Sequence, residues 1–244
     1  MASQVPYRGG MRRVIAVVLC VDLLFLAIAI ADGQFLHGDP RRRFQEGQSG
    51  TWVSAAHLVA MGLVAWRILV LRKAQTRQPV LRSSLLIWAL MAGGFLFLAA
   101  DELFEIHEQV DLAIHSLFEI TETSLTDRID DLLVLLYLVI GLAAVCIARS
   151  ELWRYRVTLP FFAAGFVLAL AMVVLDVLTN DVDLLRMLLP GVHLGSIFLW
   201  AVVAEDVLKV LAEAFFLLGF IQALHMTRRM DAEPSAGLDT WRSS

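Results

Sequence analysis

Long apolar runs separated by short polar segments are the main pattern along the chain. Six runs predict membrane-spanning helices, at about 12–31, 52–72, 83–108, 130–148, 157–179 and 195–226. A helix needs roughly 20 apolar residues to cross a hydrocarbon core about 30 Å thick, and these runs meet or approach that length. We therefore expect an all-α, polytopic transmembrane helical bundle in a single domain over residues 1–230, with a disordered cytoplasmic tail at 231–244.

An interrupted stretch precedes the sixth run. Arg186, Pro190 and Gly191 break the apolar pattern, which predicts a short interfacial helix leading into one long last helix. A seventh span at about 184–203 is the alternative. It would need a chain reversal at Ala204-Glu205-Asp206, which is a poor turn sequence.

The first run also fits a secretory signal peptide. Ala29-Ile30-Ala31 offers a small-x-small cleavage site after basic residues. The run is long for a signal core, however, and it contains Asp22. We interpret it as a retained helix, which preserves the even number of spans.

Lysine and arginine are concentrated in alternate connections. Most of the 20 cations lie at the N-terminus, in the second and fourth connections and at the C-terminus. Short cytoplasmic loops of membrane proteins carry an excess of these residues, so both termini are predicted to be cytoplasmic. The expected location is the bacterial inner membrane, crossed several times, with the lipid bilayer as the main partner.

Composition narrows the possible function classes. Of the 244 residues, 59% are hydrophobic and 18% charged, with a mean hydropathy of +0.71, which excludes a water-soluble enzyme. The net charge of -4 gives no basic surface for nucleic acid. Cys20 and Cys146 both lie in apolar runs, so a disulfide framework is not expected.

Acidic residues follow the third apolar run directly. On one continuous helix Asp101, Glu105, Glu108 and His115 would share an arc of roughly 80°, with His107 at its border. Carboxylates this close repel unless a proton or a metal ion lies between them. The pattern favours a divalent metal site (zinc, calcium, manganese or iron) in the outer half of the bundle. The alternative is a helix that has left the bilayer and is solvated.

The ligands predicted for that metal include a histidine from another helix. They are Asp101, Glu105, Glu108, His57 and His107. For His57 the alternative is a core histidine whose ring is satisfied by hydrogen bonds. Asp130 and Asp131 open the fourth run, where a helix N-cap explains them as well as ligation does.

A second set of ionisable residues lies inside apolar runs, where a charge facing lipid costs about 2.5–3.5 kcal/mol even on the lenient insertion scale. We expect these side chains to face the bundle interior as a buried polar stripe. Its members are Glu205, Asp206, Lys209, Glu213, Asp22 and Asp176. An internal ion pair that neutralises Lys209 is the structural alternative.

Three segments resemble a widespread family of bacterial six-helix membrane proteins of uncharacterised activity. They are the Asp-Glu-x-x-x-x-His-Glu segment from Asp101, the Thr51–Ser54 entry to the second helix, and the acidic pair before Lys209. The resemblance covers about 51–220. The resemblance implies only that the residues of these three segments are important in the family, and it implies no activity. The family pattern has two glutamates where this chain has Glu205 and Asp206.

Three functions remain open from the sequence. The first is a metal-dependent enzyme acting on a lipid or membrane-borne substrate, with Asp101, Glu105, His107 and Glu108 as catalytic residues. The second is a proton- or cation-coupled transporter that uses the polar stripe. The third is an accessory or scaffold protein in which the buried charges only fix helix packing. The sequence does not identify a substrate or an oligomeric state.

Overall fold

The computed structural model describes residues 8–75, 79–80, 83–118, 136, 139–141, 143–180 and 194–232. Within these ranges the chain forms helices and turns and contains no strand. The helices are α1 (Arg8–Leu36), α2 (Ser49–Ala74), α3 (Leu86–Phe104), α4 (Ile106–Phe118), α5 (Arg149–Leu152), α6 (Leu159–Asn180) and α7 (Leu194–Ala232). A 3₁₀ segment, Trp153–Thr158, joins α5 to α6.

Five helical stretches are long and apolar enough to cross a membrane, which indicates a membrane protein. They are Gly10–Leu36, Ser49–Ala74, Leu86–Phe104, Arg149–Thr179 and Gly195–Met230. Large apolar side chains are exposed along them, as expected of helices that face lipid. The span predicted at about 130–148 lies largely outside the described residues, although 139–141 and 143–147 are helical.

The last helix is continuous. α7 runs for 39 residues through Ala204, Glu205 and Asp206 without a turn. The alternative seventh span, which required a reversal there, is therefore wrong. Arg186, Pro190 and Gly191 lie outside the described residues.

The third span differs from the expected continuous helix. α3 ends at Phe104, and Glu105 adopts the left-handed conformation with φ 51° and ψ 45°. α4 then begins at Ile106. The prediction of one helix over 83–108, with Asp101, Glu105 and Glu108 on a single stripe, is wrong at this point because the helical register is interrupted at Glu105.

α4 turns polar side chains inward and apolar side chains outward. Leu112 and Leu117 are 61% and 78% exposed, whereas the His115 side chain is only 9% exposed and lies beside Asp111. The ring Nδ1 of His115 is 3.1 Å from the Asp111 carbonyl oxygen. An exposed apolar face of this kind suits a helix at a lipid interface.

The chain divides into two compact units. The first comprises Met1–Leu58 and Thr158–Gln222, and the second comprises Val59–Val157 and Ala223–Ser244. The first unit therefore holds α1, α6, the start of α2 and most of α7. α3, α4 and α5 belong to the second.

Aromatic rings and glycines join α6 to α7 in the first unit. The ring of Phe162 packs edge-on against Phe220, with centroids 5.5 Å apart, and Phe166 packs against Phe216 at 5.0 Å. A Cβ atom on Gly165 would lie 2.7 Å from the Phe216 ring. Glycine at this position allows the two helices to approach closely.

The turn between α1 and α2 is held by backbone and ionic contacts. The Gly33 carbonyl accepts the backbone N–H of Asp39 at 3.0 Å. Arg43 Nε donates to Asp32 Oδ2 at 2.6 Å. Hydrogen bonds from Arg41 hold the pKa of the Asp39 carboxyl below its usual value. The segment is therefore an ordered connection.

A buried carboxylate organises the second unit. Glu151 is 1% exposed and accepts two hydrogen bonds from Arg72, from Nε at 3.1 Å and Nη2 at 3.3 Å. Ser84 Oγ and Trp88 Nε1 also donate to it, at 3.3 and 3.4 Å. The Trp88 ring packs edge-on against Tyr155. Glu151 thereby ties α5 to α2 and to the start of α3.

Candidate functional site

Four polar side chains from three helices meet inside the first unit. Asp22 comes from α1, Ser54 and His57 from α2, and Glu213 from α7. Asp22, Ser54 and His57 are 3%, 1% and 8% exposed, and the Glu213 side chain is 12% exposed. Asp22 lies near the middle of the apolar stretch Gly10–Leu36, and Glu213 lies near the middle of Gly195–Met230. We call these four residues the first-unit site.

The four side chains form a linear chain of two hydrogen-bonding contacts and one ion pair. Ser54 Oγ donates to Glu213 Oε1 at 2.6 Å. The other Glu213 oxygen, Oε2, lies 3.4 Å from Nδ1 of His57. On the far side of the ring, Nε2 of His57 lies 3.3 Å from Asp22 Oδ1. The imidazole ring therefore bridges two carboxylates.

Local sequence explains this convergence. Ser54 and His57 are three residues apart, so they share one face of α2. Asp22 is an isolated acid in an apolar helix, and burying it against other helices avoids the cost of exposing it to lipid. Its helical neighbours Leu26 and Ala29 are buried as well.

The contacts of His57 bear on the charge that the first-unit site can carry. Carboxylates accept hydrogen bonds and do not donate them when ionised, so the contacts on both sides of His57 suit a doubly protonated ring. One imidazolium and two carboxylates sum to a single negative charge. Asp22 Oδ2 is buried and has no hydrogen-bond partner among the described residues.

The position of His57 restricts metal binding here. Its two ring nitrogens point in opposite directions, one to Asp22 and the other to Glu213. A single metal ion could not bind both carboxylates and His57 through one ring nitrogen without rearrangement. The arrangement suits proton binding better than chelation.

The acidic residues predicted at the end of the third span belong to the second unit. Asp101 Oδ1 accepts the backbone N–H of His107 at 2.9 Å, and Oδ2 lies 3.0 Å from the ring Nδ1 of His107. Asp101 therefore caps the start of α4 after the break at Glu105. Asp101 and His107 lie next to each other, and both Asp101 oxygens are engaged by His107.

Glu105 and Glu108 also approach each other. Each offers a carboxylate oxygen within 4.8 Å of the other, and Glu108 Oε1 is 4.0 Å from Nε2 of His107. The Glu108 side chain is 41% exposed. Among the predicted metal ligands, His57 belongs to the first unit, where both of its ring nitrogens already face carboxylates.

The remaining stripe residues lie on α6 and α7. Glu205, Asp206, Lys209 and Glu213 are all partly buried on α7, as is Asp176 on α6. Thr179 Oγ1 links the two helices, because it lies 3.2 Å from Glu205 Oε2 and 3.1 Å from the Asp176 carbonyl oxygen. Lys209 is one helical turn from both Glu205 and Glu213.

Sequence reasoning named Asp22, His57 and Glu213 but divided them between two sets. His57 was grouped with the metal ligands, and the two acids with the polar stripe. The available signal was the Ser54-x-x-His57 spacing together with two isolated acids at mid-membrane depth. Pairing across helices α1, α2 and α7 is not readable from one sequence. Asp130 and Asp131 lie outside the described residues.

A family model described as a domain of unknown function, DUF8692, matches residues 6–224. The match includes the four residues of the first-unit site and the third-span acids. No curated protein and no solved structure matches the chain.

Proposed function

We propose that this chain, which belongs to the DUF8692 family, is a proton- or cation-coupled membrane carrier whose coupling site is the first-unit site. The observation that carries the proposal is the His57 ring, placed between Asp22 and Glu213, two acids near the middle of long apolar helices. Among the residues that the structure describes, the buried Oδ2 of Asp22 has no hydrogen-bond partner, and it offers a position for one exchangeable positive charge.

Binding that charge would change the energy of burying the site. A net negative charge in a low-dielectric interior is costly, whereas a neutral site is not. The loaded and empty forms would therefore favour different helix arrangements, which is the requirement for coupling an ion to the movement of a second solute. Ser54 contributes by fixing the Glu213 carboxylate through its 2.6 Å hydrogen bond.

The two competing functions make different demands. A metal enzyme at Asp101 and His107 needs free ligand atoms, and the contacts of Asp101 are those of a helix cap. An accessory protein needs buried charges that balance one another, and those of the first-unit site leave one carboxylate oxygen unpaired. Both observations favour the carrier.

The test is charge movement, which requires no knowledge of the transported solute. Purified protein in liposomes on a solid-supported membrane is exposed to sudden changes of pH or of NaCl concentration, and the transient current is recorded. We expect a protein-dependent current that falls at least tenfold in His57→Asn and Glu213→Gln. The matched control is Asp39→Asn, which removes a carboxylate from the turn between α1 and α2.

Three outcomes would contradict the carrier. Absence of current from the parent protein in both jumps would favour an accessory role. Equal currents in the parent and in His57→Asn would place the moving charge elsewhere. The third outcome combines two results. The parent protein holds one metal ion per chain that is lost in Glu105→Ala, and the currents are unchanged in the His57 variant. Together these results would favour a metal enzyme in the second unit.

A further inference from the structure

The four carboxylate oxygens of the first-unit site are not equivalent. Glu213 Oε1 accepts from Ser54, and Glu213 Oε2 faces Nδ1 of His57. Asp22 Oδ1 faces Nε2 of the same ring. Asp22 Oδ2 alone is buried without a partner among the described residues, and the Asp22 side chain is 5% exposed. Within the described part of the chain, Oδ2 of Asp22 is therefore the oxygen of this site at which an exchangeable positive charge can bind.

The number of free oxygens distinguishes a proton from a metal cation. Hard cations are surrounded by several oxygens, about six to eight for Ca²⁺ and about six for Mg²⁺. The first-unit site offers a single free oxygen, and the neighbouring inward positions of α1 are the buried apolar residues Leu26 and Ala29. A proton needs only one oxygen atom.

We infer, on the basis of the proposed function, that the exchangeable charge is a proton and that it binds Oδ2 of Asp22. Loading converts the carboxylate to a carboxylic acid by forming one O–H bond, and release breaks that bond. His57 retains both ring N–H groups throughout, so its bridge between Asp22 and Glu213 persists in both forms. No other atom is transferred.

The charged neighbours of Asp22 can be named helix by helix. His57 on α2 faces it directly, and Glu213 on α7 lies beyond the ring. On α1 the nearest described charged residues are Arg13 and Asp32, about 14 and 15 Å away along the helix axis. The other ionisable residues of the first-unit spans are Arg12 and Cys20 on α1, Asp176 on α6, and Glu205, Asp206 and Lys209 on α7.

The experiment is infrared difference spectroscopy of the full chain in liposomes between high and low pH. The C=O stretch of a protonated carboxylic acid should appear at low pH. Exposed aspartates and glutamates are also protonated at low pH, so the diagnostic band is the one missing from Asp22→Asn. Biosynthetic ¹³C-aspartate should shift that band, and ¹³C-glutamate should leave it in place. The circular dichroism spectrum of Asp22→Asn should match that of the parent protein, which separates loss of the band from loss of the fold.

A substitution then identifies the residue. Asp22→Asn keeps an oxygen for His57 and places an amide where the proton would bind, so the aspartate band should be lost and the pH-jump current should fall at least tenfold. Asp39→Asn should retain both signals. Persistence of the band in Asp22→Asn, or a band that shifts only with ¹³C-glutamate, would overturn the assignment to Asp22.

A sudden change of NaCl concentration at constant pH distinguishes failure of the proton assignment from failure of the proposed carrier function. If an NaCl jump at constant pH gives a current that Asp22→Asn abolishes, and no acid band forms, the occupant is a metal cation. That result overturns the proton assignment and leaves the carrier standing. If neither jump gives a current in the parent protein, both proposals fail.

Discussion

A buried polar side chain is stable when other helices supply its partners. In the first unit, His57 receives its partners from α1 and α7, and in the second unit Glu151 receives Arg72 from α2. The consequences of substitution differ because the first-unit site is left with an unpaired oxygen, whereas Glu151 is fully surrounded by donors.

Ser54→Ala should destabilise the protein by about 1.5–3 kcal/mol, because a buried oxygen of Glu213 loses its donor. Denaturation in matched detergent micelles measures the change. Ser49→Ala, on the same helix, removes only a 3.4 Å contact to the Arg43 carbonyl oxygen and should cost less than about 1 kcal/mol. Equal losses in the two variants would argue against a structural role for the hydroxyl of Ser54.

Glu151→Ala should destabilise the second unit by about 3–5 kcal/mol, because it leaves Arg72 largely buried without its carboxylate. The matched control is Arg154→Ala. Arg154 lies 3.5 Å from the same carboxylate, but its side chain is 56% exposed, so the cost should be about 0–1 kcal/mol. If Glu151→Ala melted within a degree of the control, the ion pair between Glu151 and Arg72 would not be a major source of stability.

The sequence predicts only some of the buried polar residues and few of their partners. The cost of exposing an isolated acid to lipid singles out Asp22 and Glu213 without any knowledge of their neighbours, and both side chains are buried or nearly so in the structure. The role of Glu151 was missed. It lies in a polar connection, where a solvated side chain is the ordinary expectation, and only the tertiary structure brings Arg72 and Trp88 to it.

At the scale of single elements, the break between α3 and α4 has the clearest local cause. Glu105 is the described non-glycine residue with a positive φ. The chain tolerates that conformation because Asp101 binds both the backbone and the ring of His107. Periodicity could not reveal the break, because apolar and acidic residues continue at helical spacing through it.

Glu105→Gly should therefore maintain or increase stability, by up to about 1–2 kcal/mol, because glycine adopts the left-handed conformation without a Cβ clash. The same change within α4, Glu108→Gly, should destabilise by about 1 kcal/mol. Chemical denaturation of both variants gives the sign of each change in the free energy of unfolding. A loss of stability in Glu105→Gly equal to that in Glu108→Gly would mean that the chain is helical at residue 105.

Gly33→Ala should destabilise the connection between α1 and α2. A Cβ there would lie 2.6 Å from the Asp39 carbonyl oxygen, and a backbone atom cannot rotate away as a side chain can. Gly93→Ala is the control, because nothing lies within 4 Å of its Cβ position, and alanine should there stabilise the helix by up to about 1 kcal/mol. Thermal unfolding should show shifts of opposite sign.

At the scale of the whole molecule, the helical membrane architecture was predictable, because the length and apolarity of a span follow directly from bilayer thickness. The continuous path of α7 through Glu205 and Asp206 also agrees with the favoured interpretation. The sixth span and the cytoplasmic termini stay predictions. They rest on apolar length and on the distribution of arginine and lysine.

The divalent metal also stays a prediction at this scale. If Glu105 and Glu108 share an ion, elemental analysis of the purified protein should find about one zinc, calcium, manganese or iron per chain, and Glu105→Ala should lower that content at least fivefold. Glu102→Ala is the neighbouring control. A metal content that is unchanged in Glu105→Ala would remove these two glutamates as ligands.

The length of α7 has a practical consequence. Its 39 residues correspond to roughly 58 Å, almost twice the hydrocarbon thickness of about 30 Å. Even a steep tilt would leave several turns protruding from the bilayer. A soluble marker protein joined in helical phase to its C-terminal turns would therefore be held rigidly, and electron cryomicroscopy could use that marker to orient a particle otherwise concealed by detergent.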